Sequence, residues 1–326
     1  MAKAWGALLV VAALLFPFRV WATTQTIVFG GDVMLSRFVR EQVSLRGKGE
    51  PAWLLKNIAP VFREADLAFV NLESPFLAGP ASANDMVFRA NPAHVSALTS
   101  AGIDVVSFAN NHARNQGSQG VRHTLELLGK NAIAAAGAGL TSKNAYTPRY
   151  LKAGEQLVAV LAYAYNERPP KKESVQPTIA GMDVPMMQAA VRKAKTAGAL
   201  VVVSMHAGTE YTGKPTARQK EFAHAAVDAG ADIVVGHHPH WVQPVEQYKQ
   251  GIIAYSLGNL VFDQGWSVET QQGAVAQVQV VDGRVTSLAL RPVKIDYYAQ
   301  PRWMTSKESE GVLARIGLPT GRLTRK

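Results

Sequence analysis

Short apolar runs alternate with helical patterns along most of this chain. Seven runs have the length and the β-branched content of buried strands, and they span residues 27–29, 67–70, 105–108, 157–162, 200–204, 233–235 and 252–255. Four helical patterns lie between them and open on proline or a capping residue, over 92–101, 118–128, 185–197 and 215–229. Strands that alternate with helices of this length predict an α/β fold.

The later part of the chain has a different pattern. The apolar runs 275–281 and 284–290 flank Asp282-Gly283, a dipeptide that favours the type I′ turn of a β-hairpin. The segment 166–180 is rich in proline and lysine and is predicted as a flexible excursion. Because no internal repeat or interdomain linker is evident, we expect one domain over 23–300, then a C-terminal helix and basic tail over 301–326.

Residues 1–22 have the features of a secretory signal peptide. Lys3 precedes an apolar stretch over residues 4–18, and Val20-Trp21-Ala22 resembles a cleavage site. This stretch is shorter than the roughly 20 residues that span a bilayer. We therefore expect an exported protein, periplasmic or at the cell surface, that stays membrane-anchored if the signal is uncleaved. A buried first helix is the structural alternative.

Amino-acid composition and net charge limit the kinds of site and partner that this protein is expected to have. The absence of cysteine suits an exported protein and excludes both disulfides and thiolate metal sites. The net charge of +10 becomes +8 when residues 1–22, which contain Lys3 and Arg19 and no acid, are removed. A positive balance favours anionic partners. The basic residues are scattered without an aromatic-interleaved stripe, so nucleic acid is not expected as a partner.

Polar side chains with metal-binding chemistry follow several of the predicted strands. Ligands of open α/β sheets bind at the carboxyl ends of the strands. The side chains placed there are Asp32, Glu73, Asn110, Asn111, His112, His206, His237, His238 and His240. Burying carboxylates and imidazoles without partners is costly, and a divalent cation removes that cost.

This donor set also indicates which metal to expect. Oxygen and nitrogen ligands together suit Mn²⁺, Zn²⁺, Fe or Ni²⁺ better than Mg²⁺ or Ca²⁺. The set is large enough for one ion or for two ions bridged by a carboxylate, an arrangement that activates water for an in-line displacement.

Three of the histidines cluster in one loop. Gly236 is expected to turn the chain at the end of its strand, and Pro239 excludes a helix there. His238 and His240 are two positions apart in a segment predicted to be extended, which would point both imidazoles to the same side. The alternative for any single histidine is an ordinary packing role.

Six motifs in order along the chain resemble one known family. They are Gly31-Asp32-Val33-Met34, Asn71-Leu72-Glu73, Ala109-Asn110-Asn111-His112-Ala113, His206-x-Gly208-x-Glu210-Tyr211, Gly236-His237-His238-Pro239-His240 and Tyr255-Ser256-Leu257-Gly258-Asn259. Over about residues 26–264 the sequence resembles the CapA family of capsule or poly-γ-glutamate biosynthesis proteins, a branch of the calcineurin-like metallophosphoesterases. The resemblance implies a four-layer α/β/β/α sandwich of the metallo-dependent phosphatase type.

The resemblance also implies roles for individual metal ligands. Asp32 would bind a first metal, and Glu73 would bridge two metals. Asn111 and His206 would bind the second metal together with His238.

Further roles follow in the same way. His240 would complete the first metal, with His237 as the alternative to His238 for the second. His112 would act as general acid or transition-state stabiliser, and Arg89 would bind a substrate carboxylate or phosphate unless it forms an ordinary ion pair.

The resemblance implies less specific roles for two further residues. Glu210 would orient His206 or pack at a helix entry, and Asn259 is a further candidate site residue.

Three positions depart from the related patterns. Met34 stands where most metallophosphoesterases have a histidine ligand, so a single-metal site is an open alternative. Arg114-Asn115 replaces a common acidic residue, and Ala207 stands where tryptophan is common.

Three functions are compatible with these observations. The first is a metal-dependent hydrolase or transferase in capsule or poly-γ-glutamate biosynthesis, working with membrane-bound synthesis machinery. The second is a non-catalytic binding or export component for an anionic polymer. The third is a periplasmic phosphoesterase, which differs from the first only in its substrate.

Overall fold

The computed structural model describes residues 1, 23–80, 86–170, 172–318 and 320–324. The predicted signal peptide, apart from Met1, lies outside the described residues. None of the helices in the described part of the chain has the length and apolar character that a membrane crossing needs.

Strands dominate the described chain. In chain order they are β1 Thr24–Val33, β2 Leu67–Leu72, β3 Val105–Ser107, β4 Ala134–Ala136, β5 Ala138–Gly139, β6 Arg149–Ala153, β7 Gln156–Ala164, β8 Thr178–Ile179, β9 Leu200–His206, β10 Ile233–His237, β11 Val245–Tyr248, β12 Gly251–Ala254, β13 Asn259–Val261, β14 Gln272–Val281, β15 Arg284–Asp296, β16 Gln300–Trp303 and β17 Arg322–Thr324. All seven strands predicted from apolar runs are confirmed, as β1, β2, β3, β7, β9, β10 and β12.

The helices lie mainly between the strands. They are α1 Arg37–Leu45, α2 Ala59–Arg63, α3 Val95–Ala101, α4 Gly117–Lys130, α5 Ser142–Tyr146, α6 Val184–Thr196, α7 Ala217–Asp228 and α8 Ser306–Ile316. The four predicted helices are confirmed, although the first begins with a 3₁₀ turn over Pro92–His94 before α3. Thr216 caps α7 through a capping box with Gln219, which fixes where that helix begins.

Two sheets form the centre of the fold. The first has the strand order β16-β15-β14-β1-β2-β3-β4, with β13 also paired to β1 and β17 to β15. The second has the order β11-β12-β10-β9-β7-β6. Strands β1 to β4 run parallel to each other, as do β7, β9, β10 and β12.

Alternation along β9 shows how the sheets are layered. Leu200 and Val202 belong to the hydrophobic core that also contains residues of the first sheet, such as Val28. Val201 and Val203 point the other way, into a second core that α6 and α7 cover. The predicted four-layer α/β/β/α sandwich is confirmed.

The second half of the first sheet contains the predicted hairpin. Val281 of β14 pairs with Arg284 of β15. Asp282 and Gly283 have φ values of 50° and 73°, as the type I′ turn requires.

Two segments contain more regular structure than their composition predicts. The excursion at 166–180 includes β8, which pairs with β5, and Arg114 Nε donates a hydrogen bond to Glu167 Oε1 at 2.8 Å. Beyond residue 300, β16 and β17 both pair with β15, so the sheet continues past the predicted domain boundary. The predicted C-terminal helix is α8.

Candidate metal centre

Parallel strands from both sheets end at one edge of the sandwich. In the first sheet Asp32 of β1 is in register with Asn71 of β2, and Glu73 follows β2 directly. In the second sheet His206 of β9 is in register with His237 of β10. The two sets of side chains meet between the sheets, where Asp32, Glu73, His206 and His237 are completely buried.

Asp32, Glu73 and His206 form a first group of candidate ligands. One ligand atom of each lies within 4.8 Å of the others. His237 Nδ1 is 3.2 Å from Asp32 Oδ1, although it lacks the geometry of a hydrogen bond.

Asn71 was not predicted as a site residue, yet it lies in the middle of this group. Its Nδ2 donates to Asp32 Oδ1 at 2.9 Å and lies 3.4 Å from both Glu73 Oε2 and His206 Nδ1. Its spacing of two from Glu73 places both side chains on one face of an extended segment, and that signal was present in the sequence.

Glu210, His238 and His240 form a second group, again with ligand atoms within 4.8 Å of one another. The reason predicted for the approach of the two histidines is wrong. β10 ends at His237, and His238 and His240 have φ values of 96° and 58°. The two imidazoles therefore converge through two left-handed residues, a costly conformation that occurs at functional sites.

Glu73 Oε1 lies between the two groups. It is 3.9 Å from His206 Nε2 and 3.9 Å from His240 Nε2. In the part of the chain that the structure describes, this buried oxygen has no hydrogen-bond partner. A carboxylate oxygen placed in this way is suited to bridge two cations.

Other buried atoms at the centre also lack protein partners. Among the described residues, both ring nitrogens of His237 and the Nδ1 atom of His238 have no hydrogen bond. Unsatisfied buried polar atoms are rare in native proteins because each carries a desolvation cost. Together with the oxygen/nitrogen donor set, these atoms fit a divalent metal.

The two central carboxyl groups have opposite pKa shifts. Burial raises the pKa of Glu73 well above the usual 4.5, and the charges of Asp32 and Glu210 raise it further. Burial also acts to raise the pKa of Asp32, but interactions with His237 and His240 outweigh it and hold that pKa well below 3.8. Without a cation, the centre thus favours the ionised form of Asp32 and the protonated form of Glu73.

Burial disfavours the charged form of two imidazoles of the centre. Burial lowers the pKa of His206 well below 6.5 and that of His238 to about 3. Neutral imidazole is the form that binds metal, so these shifts favour metal binding.

Asn111 lies beside the first group, and His112 follows it in the chain. Asn111 Oδ1 is 2.8 Å from His206 Nε2. His112 Nδ1 is 2.9 Å from Asn115 Oδ1, which also accepts a hydrogen bond from the Phe88 amide at 2.7 Å. The His112 ring stacks on Phe88 with 3.8 Å between ring centroids, and burial lowers its pKa to about 4.

Asn110 and Asn259 act as supports. Asn110 Nδ2 donates to the Leu72 carbonyl at 2.7 Å and holds the end of β2. Asn259 Oδ1 is 2.9 Å from His240 Nδ1, which leaves His240 Nε2 directed toward Glu73. The Asn259 amide in turn donates to Gln264 Oε1 at 3.0 Å.

Arg89 is held at the rim by the protein. Its Nε donates to Gln116 Oε1 at 2.8 Å, and its backbone amide donates to Ser36 Oγ at 3.0 Å. Arg37, which was not predicted, forms an ion pair with Asp263 and packs its guanidinium 4.9 Å from the centroid of Phe88. Its charge lowers the pKa of both Glu73 and His112, so it contributes to the field of the centre.

The three departures from the sequence motifs of related proteins each have a different structural role. The Met34 sulfur accepts a hydrogen bond from the Ser36 amide at 3.0 Å and is fully buried. Asn115 orients His112, and Arg114 pairs with Glu167. The backbone amide of Ala207 bonds to the His237 carbonyl at 3.1 Å, which ties β9 to β10 beside the centre.

Gly236 has a different role from the predicted turn. It lies inside β10, and an added Cβ atom would overlap the carbonyl oxygen of Tyr255. Glycine is required here because a neighbouring backbone approaches closely.

The sequence as a whole matches a described family. The model of the bacterial capsule synthesis protein PGA_cap matches residues 26–264, the range that contains every element of the centre. The chain belongs to this family. Glu210, His238, His240 and the other donors all fall inside the matched range.

Individual relatives support the same assignment, and one solved structure supports the fold. Capsule biosynthesis protein CapA of Bacillus anthracis is 34% identical over 296 residues, which cover 86% of this chain and 70% of that protein. PGA biosynthesis protein CapA of Bacillus subtilis is 31% identical over 272 residues, covering 82% and 70%. A novel phosphatase of Mycoplasma pneumoniae has a similar fold, with a TM-score of 0.54 and 12% identity over 85% of this chain and 95% of that one.

Proposed function

We propose that this protein is a metal-dependent hydrolase or transferase of the cell envelope that acts in capsule or poly-γ-glutamate biosynthesis. One observation carries the proposal. Glu73 Oε1 is buried, lacks a hydrogen-bond partner among the described residues, and is 3.9 Å from imidazole nitrogens of both ligand groups. A structural role does not require an acid to be held in this way, whereas a bridging ligand does.

The centre would hold one or two divalent cations. The ligands are Asp32, Glu73, Asn111, His206, His238 and His240. Mn²⁺, Zn²⁺, Fe or Ni²⁺ suit this set better than Mg²⁺ or Ca²⁺. The cation supplies Lewis acidity and lowers the pKa of water at the site.

His112 is the proposed proton carrier. Since Asn115 Oδ1 already accepts from the Phe88 amide, His112 Nδ1 is the donor in its bond to Asn115 and Nε2 is left as an acceptor. The lowered pKa makes this imidazole neutral at pH 7. His112 Nε2 therefore takes the proton of the nucleophile first and only then serves as general acid toward the leaving group.

The substrate class and location follow from charge and from the relatives. Two of them are CapA proteins whose names place them in capsule or poly-γ-glutamate biosynthesis. A charge of +8 after removal of residues 1–22 favours an anionic polymer or a phosphoester substrate. We place the protein outside the cytoplasm, beside membrane-bound synthesis machinery, with Arg89 at the rim as a candidate contact for a carboxylate or phosphate.

The test is metal analysis followed by a substrate screen. Purified mature protein should contain or bind a divalent metal and hydrolyse a phosphoester or a γ-glutamyl amide in the presence of Mn²⁺ or Zn²⁺. His112→Ala should reduce the rate by about 100-fold or more, the usual size of a lost proton-transfer group. Equal rates for the wild type and His112→Ala on every substrate would contradict the catalytic proposal.

A second candidate is a binding component for an anionic polymer that performs no chemistry. The observation that favours it is Met34, because its sulfur bonds to the Ser36 amide and supplies no ligand to the centre. Salt-sensitive binding of polyglutamate that survives His206→Ala would support this candidate. A periplasmic phosphoesterase remains the third, and the screen distinguishes it by its substrate.

A further inference from the structure

Glu210 is the one carboxylate of the centre that comes from neither sheet. It lies in the loop after β9, four residues beyond His206, and is partly buried. Its carboxylate belongs to the group with His238 and His240, whose ligand atoms are within 4.8 Å of one another.

Two backbone hydrogen bonds fix this loop relative to the histidine loop. The Ala207 amide donates to the His237 carbonyl at 3.1 Å, and the Tyr211 amide donates to the Pro239 carbonyl at 2.9 Å. These bonds hold the backbone on either side of Glu210 beside the histidine loop. The Tyr211 ring also lies over His240, with 6.0 Å between centroids.

The charges at the centre require more compensation than the protein supplies. Asp32 and Glu73 share one ligand group, and Glu210 belongs to the other, whose His240 Nε2 is 3.9 Å from Glu73 Oε1. In the described ranges none of these three acids forms an ion pair with a lysine or arginine. Three ionised carboxylates carry more negative charge than one divalent cation neutralises, which favours a second cation.

An unsatisfied buried atom lies in the same group. His238 is only 3% exposed, and its Nδ1 has no hydrogen-bond partner among the residues that the structure describes. The group thus contains an imidazole with an unsatisfied ring nitrogen beside a carboxylate. This combination is typical of ligands for Mn²⁺ or Zn²⁺.

We infer that Glu210 binds metal directly and, with His238 and His240, forms a second cation position bridged to the first by Glu73. The inference rests on the proposed metal centre and extends it, because Glu210 becomes a ligand and no longer a support for His206. It also resolves the choice between one ion and two in favour of two.

The test uses the mature protein, stripped of metal and titrated with Mn²⁺ alone. Calorimetry should show two equivalents bound to the wild type, with an electron paramagnetic resonance spectrum broadened by coupling between neighbouring ions. Glu210→Gln should lose the second equivalent or bind it more than about 100-fold more weakly, a larger loss than the roughly 10- to 100-fold that follows when only a group supporting a ligand is removed. Its spectrum should become that of an isolated ion.

Glu221→Gln is the matched control, because Glu221 is an exposed glutamate on α7 and should leave both equivalents unchanged. Circular dichroism of the metal-free variants should match the wild type. Two coupled equivalents in Glu210→Gln, or a single equivalent in the wild type, would overturn the inference and leave the proposed function standing. A wild type that binds no Mn²⁺ or Zn²⁺ would instead remove the proposed function itself.

Discussion

Acidic side chains lie at both ends of the parallel strands, and the two ends hold them in opposite ways. At the amino ends, Asp104 Oδ2 accepts a hydrogen bond from the Ala68 amide of the neighbouring strand at 2.8 Å. Asp232 Oδ2 likewise accepts from the Val201 amide at 2.8 Å and from Lys195 Nζ at 2.9 Å. Both aspartates satisfy backbone donors and join adjacent strands.

At the carboxyl ends the acids have fewer such donors. Asp32 accepts hydrogen bonds from the Asn71 side-chain amide at 2.9 Å and from the His238 backbone amide at 3.4 Å and also interacts with imidazoles, and one oxygen of Glu73 is unsatisfied in the described structure. The first set of acids therefore stabilises the fold, whereas in the second set the ionised form of Glu73 costs stability until a cation binds. The comparison separates structural from functional acids by their partners.

The largest expected effect comes from Asp32→Asn. The substitution keeps the shape of the side chain but removes a negative charge and a ligand, so affinity for Mn²⁺ should fall by about 100-fold or more. Calorimetric titration of the metal-free protein measures it. Asp104→Asn is the matched change at the other end of the strands and should keep wild-type affinity; an equal loss in both variants would break the comparison.

Asp104→Ala should lower the free energy of unfolding by about 1–3 kcal/mol, because it leaves the buried Ala68 amide without its acceptor. Urea unfolding in the presence of a chelator gives this value. Metal affinity should be unchanged when the variant is folded. A stability equal to that of the wild type would show that the amino-end acids are not structural.

The pH dependence of the metal-free protein should show the cost of Glu73. The folded protein holds the Glu73 proton more tightly than the unfolded chain, so stability falls as the pH rises above 4.5 toward the raised pKa. Asp32 has the opposite sign, since its stabilisation is present above 3.8 and is lost as acid lowers the pH through the depressed pKa.

Glu73→Gln has no proton to release, so the melting temperature of this variant should decline less than that of the wild type between pH 5 and pH 8. Both are measured with a chelator present. Parallel declines would mean that Glu73 keeps no unusual proton affinity in the folded protein.

The smallest expected effect is at the rim. Arg89→Lys keeps the charge but loses the planar fork that binds a carboxylate or phosphate in two places, so KM should rise by up to about tenfold with kcat nearly unchanged. Steady-state kinetics on the substrate found in the screen measures it. An unchanged KM would show that Arg89 does not bind the substrate. Its role would then be the structural one indicated by its hydrogen bonds to Gln116 and the Pro80 carbonyl.

Much of the fold was predictable because its signals are local. Apolar runs predicted the seven central strands, and Asp282-Gly283 predicted the hairpin because few other residues adopt positive φ at both turn positions. Short edge strands were not predictable. β17 covers only Arg322–Thr324, and its hydrogen bonds come from β15, more than 30 residues earlier in the chain.

The candidate ligands could also be identified from sequence, since acids, amides and imidazoles that follow buried strands stand out. How these ligands group in space could not be identified from the sequence. Glu73 follows β2 of the first sheet and meets His206 of β9 and His240 of the loop after β10, so its neighbours depend on how the sheets pack. The left-handed backbone conformation of His238 and His240 also could not be predicted from the sequence, because the surrounding structure imposes it.

The sequence by itself determined which residues form the strands and which side chains stand at their ends, because β-propensity, polarity and turn chemistry act between near neighbours in the chain. Only the tertiary structure decided which acids would have hydrogen-bond donors within the protein and which would remain available to bind a cation. That difference arises from contacts between residues far apart in sequence: Asp104 meets a strand edge with a free amide, and Glu73 meets imidazoles across the space between two sheets.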